Sequence, residues 1–112
     1  METRPNTALT DLLYDQKGVR TFDRTVANAS TTDPLVVDPF TVVGLDTATG
    51  NWVPYTSQST VGVTLNDEAI TLDPETDEVV PVLQGGAVKL DMLANAPGTW
   101  VPGVVKGQLF VC

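Results

Sequence analysis

A ten-residue phrase that occurs twice constrains this chain more than any other feature. Leu45-Asp46-Thr47-Ala48-Thr49-Gly50-Asn51-Trp52-Val53-Pro54 and Leu72-Asp73-Pro74-Glu75-Thr76-Asp77-Glu78-Val79-Val80-Pro81 both fit Leu-Asp-x-x-Thr-(Gly/Asp)-x-x-Val-Pro. Each copy is turn chemistry set between apolar runs. An Asp carboxylate folds back onto backbone N–H groups two residues on, and Gly or Asp at the far end tolerates a positive φ. The flanks are Thr41-Val42-Val43 with Trp52-Val53, and Ala69-Ile70-Thr71-Leu72 with Val79-Val80. Their β-branched and aromatic residues suit a pleated surface. Two successive β-hairpins are expected, and with them a compact β-rich domain.

The chain has 112 residues, 42% of them hydrophobic, which is material for one modest core and not two. Residues 1–17 read as a polar arm whose apolar surface comes from Leu9, Leu12, Leu13 and Tyr14. Such an arm is either a frayed terminus or a segment that orders on a partner. Residues 19–26 alternate apolar side chains or Thr with charge, as an edge strand or an extended arm would. Residues 28–33 are small and polar and read as a linker. The expected division is a flexible arm and linker over 1–33 and a β-rich domain over 34–112.

Within that domain, Leu35-Val36-Val37 lies between Pro34 and Pro39, which places it at a sheet edge or in a crossing segment. Gly62, inside an apolar run, marks a bulge or a close backbone approach. Gly85-Gly86 reads as a break that permits a sharp reversal. Residues 87–94 read as a strand start followed by a helical turn near 91–94, and residues 108–112 as a final strand. The fold class expected is mainly β: a compact single domain of seven or eight short strands, barrel- or β-tulip-like, with little helix and an extended N-terminal arm.

Chemistry is scarce. The chain has no histidine, which removes the commonest proton shuttle and zinc ligand. Its one cysteine, Cys112, has no imidazole to activate it and no partner for an internal disulfide. No Gly-x-Ser-x-Gly elbow or Walker-type loop occurs. Asp73, Glu75 and Asp77 match the first three ligand positions of a calcium loop, but Glu78 stands where Gly is required and Gln84 where Glu is required. That stretch reads as a solvated turn. No catalytic residue, metal or cofactor is expected. Six basic against fourteen acidic residues give a net charge of −8, which argues against binding a nucleic-acid backbone. No apolar run reaches membrane-spanning length, and synthesis in the cytosol without secretory export is expected. Trp52 and Trp100, in matching Gly-x-Trp-Val-Pro settings, read as packing residues or, with Tyr55, as a platform for stacking a sugar.

Over roughly residues 38–93 the chain resembles the head-decoration, or capsid-cement, proteins of tailed phages, the lambda-type decoration family. The resemblance rests on the Leu-Asp-x-x-Thr-Gly-x-x-Val turn at 45–53, Val61-Gly62-Val63 after a Ser/Thr-rich spacer, and the Gly-x-Val-x-Leu run at 86–90 closing on Leu93. It implies a β-rich homotrimer on the outer capsid surface of the virion, made in the host cytoplasm. There it would bind the major capsid protein and clamp neighbouring capsomers against internal DNA pressure. It also implies an N-terminal arm that orders on the shell by strand addition. Arg4, Leu9, Leu12, Leu13, Tyr14, Val19 and Phe22 are the side chains expected to anchor it. Neither nucleic acid nor membrane is an expected partner. The alternative is a carbohydrate- or host-surface-binding β module of a phage fibre or baseplate, using Trp52, Trp100 and Tyr55.

Overall fold

The structure is a computed structural model that describes residues 13–98, 100, 103, 105–106 and 108–111. In chain order its strands are β1 (Leu13–Ala27), β2 (Leu35–Val37), β3 (Val42–Asp46), β4 (Asn51–Pro54), β5 (Val61–Thr64), β6 (Ile70–Leu72), β7 (Asp77–Val88), β8 (Val105–Lys106) and β9 (Gln108–Val111). A 3-10 turn, Leu90–Met92, follows β7. The protein is therefore mainly β and a single domain. Two of its strands are longer than the sequence led one to expect, β1 with 15 residues and β7 with 12.

The first repeat folds as its turn chemistry dictates. β3 and β4 pair antiparallel from Val43↔Pro54 to Asp46↔Asn51. Asp46 Oδ1 accepts from the Ala48 N–H at 3.0 Å, and the Asp46 carbonyl accepts from the Gly50 N–H at 2.8 Å. Gly50 closes the turn at φ +78°, with nothing within 4 Å of where a Cβ would sit. Gly50→Ala should therefore cost backbone strain alone, about 1 kcal/mol. A urea midpoint unchanged from the parent would contradict that conformation.

The second repeat makes the same kind of turn but not a hairpin. Thr76 donates to the Asp73 carbonyl from both its N–H (3.2 Å) and its hydroxyl (2.7 Å). Positive φ falls on Glu75 rather than on Asp77. The strands on either side then part. β6 pairs with β2, from Leu35↔Leu72 to Val37↔Ile70, while β7 pairs with β1 and β5. A local turn signal fixes the bend but not the partner, and the apolar residues of β2 claim β6.

The main sheet closes on itself. β1 meets β4 at Val26↔Trp52; β4 pairs with β3, β3 with β5, β5 with β7, and β7 returns to β1. This ring is a five-stranded barrel. β9 runs parallel to the far end of β7, and β8 pairs with β9. Gly85 and Gly86 do not reverse the chain, contrary to the sequence reading; β7 runs straight through them. They lie where β7 exchanges β5 for β9 and where the β1 register slips, between Arg20↔Gly85 and Thr21↔Leu83. The glycines thus serve a bulge, which re-aims a strand without ending it.

Alternation along the strands divides the apolar residues into two cores. Val26, Val37, Val43, Trp52, Leu72, Val80 and Val82 form one, covered by the β2–β6 pair. Val42, Val61, Val63, Leu83, Val88, Trp100, Leu109 and Val111 form the other, with Leu90, Leu93 and Ala96 packed against it. β3 and β7 contribute to both, so that Val42 and Val43, adjacent on β3, are each fully buried on opposite faces. Gly62 is a close backbone approach, as expected: a Cβ there would overlap Val82.

Part of the span expected as arm and linker, residues 1–33, belongs to the sheet. β1 lies along β7 in the barrel, and Val26, Ala27 and Asn28 are buried. The stretch 28–33 is tied down as well. Asn28 Nδ2 lies 2.7 Å from the Asp33 carbonyl and 3.1 Å from that of Leu72, while its Oδ1 accepts from the Ser30 N–H at 2.9 Å.

Candidate functional site

Side chains two apart on a strand share a face. On β1 that rule puts Arg20, Phe22, Arg24 and Val26 in one row, and burial falls along it. Val26 is fully buried in the barrel core, Arg24 is half-buried, Phe22 is 44% exposed and Arg20 is exposed. The row therefore leads from the interior to the rim. Arg24 Nε donates to Gln84 Oε1 at 2.5 Å. Its guanidinium carbon lies 4.7 Å from the Phe22 ring centroid and 5.8 Å from that of Trp52, distances at which a cation is held by aromatic faces.

Beside this row lies a cavity of about 490 Å³, lined by Arg20, Phe22 and Arg24 of β1, by Ser59, Thr60 and Val61 at the entry to β5, and by Gln84 of β7. None of these described lining residues is a carboxylate. Next to the cavity, β1 offers an open edge. β7 pairs along one side of it from Arg20 to Ala27, but β4 touches the other only at Val26. Among the described residues, positions 20–25 have no strand on that second side.

Of the residues expected to anchor an arm, the described side chains are those of Val19 and Phe22. Arg4, Leu9 and Leu12 lie outside the described residues. Leu13 and Tyr14 belong to β1, with Leu13 opposite Val88, and their side chains lie outside the described part. Val19 packs against the core cluster containing Leu83 and Leu109. Phe22, among the described side chains of this set, lines the cavity. Arg20, Arg24, Ser59, Thr60 and Gln84 were not singled out by the sequence. Arg-x-Phe-x-Arg over 20–24 was the available signal, because period two puts its three long side chains on one face.

The two tryptophans of the alternative reading are buried. Trp52 is 3% and Trp100 6% exposed, each in a core, and Tyr55 tilts onto Trp100 with ring centroids 5.4 Å apart. A sugar cannot stack on indoles that already pack against protein. No protein-family model, no curated protein and no solved structure matches the chain.

Proposed function

We propose that the protein decorates the head of a tailed phage, binding the outer capsid surface as a homotrimer and clamping neighbouring capsomers against internal DNA pressure. The observation that supports this reading best is the open edge of β1, with Phe22 exposed beside it. An unpaired edge offers backbone donors and acceptors to an extended segment of the major capsid protein, and Phe22 offers an apolar anchor. The clamp acts by binding, without catalysis. A single edge contact is weak; three edges on one trimer hold the lattice together through high effective concentration.

Because β1 is built into the barrel, the contact is assigned to its edge and not to a leader free along residues 2–24. Removing those residues would delete most of the strand that closes the barrel, leaving only Thr25, Val26 and Ala27 of it. The better test is Phe22→Asp, at an exposed position. In co-sedimentation with undecorated capsids of the phage that carries this chain, the parent protein should bind and the variant should bind at least about ten-fold more weakly. Light scattering and thermal melting should be the same for both. Failure of the parent to co-sediment would refute decoration; equal binding by the variant would refute the edge.

A further inference from the structure

We infer that the cavity beside β1 is a receptor for a carboxylate, held by the guanidinium groups of Arg20 and Arg24. The inference rests on the cavity alone and not on the decoration reading. A chain with fourteen acidic and six basic residues has carboxylates to spare, yet two of its arginines line one cavity whose described lining contains none. Asp23, between them in sequence, falls on the opposite face of β1 by strand alternation. Arg24 is half-buried, and a charge taken even partly out of water is costly without a counter-ion. Its Nε–H is engaged by Gln84, and its guanidinium carbon lies over the Phe22 and Trp52 rings. Among the described residues its Nη hydrogens have no acceptor. A guanidinium held by Gln84 and two rings, with no acceptor for its terminal donors among the described residues, is prepared for a fork-to-fork partner.

Two features select the class of anion. The net charge of −8 repels polyanions and dianions more than it repels a single carboxylate. The cavity also mixes hydroxyls (Ser59, Thr60) with apolar wall (Phe22, Val61), which suits a planar carboxylate on a short carbon stem. Such a group comes either from a free organic acid or from an Asp or Glu side chain on an extended segment laid along the open edge of β1.

The test is an NMR titration of the full chain at constant ionic strength, following the arginine Nε–H resonances. The probes are succinate, the peptide acetyl-Thr-Val-Glu-Val-Thr-amide, its Gln counterpart, and inorganic phosphate. Saturable shifts of the Arg20 and Arg24 signals are expected with succinate, with the Glu peptide, or with both. Succinate alone identifies a free acid as the source, and the Glu peptide alone identifies an extended segment. Arg20→Gln and Arg24→Gln should each weaken binding about ten-fold or more, and Arg24→Lys should weaken it too, because an ammonium cannot fork. Lys89→Gln should leave it unchanged. Arg20 is exposed, so Arg20→Gln decides the matter if Arg24→Gln misfolds. Phosphate binding as tightly as carboxylate would overturn the proposal. So would equal shifts from the Gln peptide, or the lack of a saturable shift with every probe.

Discussion

Gly62→Val should leave little folded protein at 37 °C. A side chain at this position has nowhere to go. Its Cβ would overlap Val82 Cγ1, sit 3.1 Å from the Leu83 carbonyl oxygen and lie 3.4 Å from Trp52 Cζ3. The backbone cannot retreat either, because Gly62 pairs with Val43 on one side while Val63 and Thr64 pair with Leu83 and Val82 on the other. Overpacking a site held from both edges costs about 3 kcal/mol, a large share of the 5–15 kcal/mol that holds a typical domain together. Gly50→Ala is the control: nothing lies within 4 Å of the Cβ it would add, so its loss is the backbone strain of about 1 kcal/mol. Urea denaturation of both variants measures the difference. Equal midpoints would mean that β5 and β7 are not packed as closely as described.

Asn28→Ala should cost about 2–3 kcal/mol, a large effect for a residue between β1 and β2. Asn28 is 5% exposed and its amide nitrogen serves carbonyls from two separate parts of the chain, Asp33 on one hand and Leu72 and Asp73 on the other. Its own N–H donates to the Thr76 carbonyl at 2.9 Å, and the Glu75 N–H donates to the Ser30 carbonyl at 3.1 Å. Removing the amide leaves buried carbonyls without a donor, which is dearer than losing a hydrogen bond in water. Asn28→Asp should be worse than Ala, since it sets a carboxylate against those oxygens. Chemical denaturation gives the size of each loss. A change below about 0.5 kcal/mol for Ala would contradict the network.

What was legible in the sequence was what is local. The turn of Asp46 to Gly50 needs only neighbours, so its hairpin could be written down from residue types. The Asp73 turn was equally readable, but its strands were not. β6 finds β2 across more than thirty residues of intervening chain, and no turn residue encodes that choice. Gly85-Gly86 misled for a related reason: glycine marks an unusual backbone, and only the neighbouring strands decide whether that becomes a reversal or a bulge. Asn28 looked like linker because polar residues usually are; its burial depends on a turn nearly fifty residues later. Of the candidate site, Phe22 was picked out as an anchor that the family resemblance implied for the arm. Arg20 and Arg24 were passed over because scattered basic residues carry no message until a fold gathers them.

The pairing of β1 with β7 also sets a timetable for the ribosome. β1 ends at Ala27 and is made well before β7, the strand that completes its side of the barrel and ends at Val88. At roughly 5–20 residues per second, an emerging β1 waits several seconds for its mate. Long-range pairing of this kind is also slow once the mate arrives. During that interval Val19, Phe22 and Val26 form a sticky nascent strand, and Arg20, Asp23 and Arg24 are the charges interleaved with them. Such interruptions discourage one unfinished chain from zipping onto another. The same arginines would then guard the polypeptide before it folds and greet a ligand afterwards.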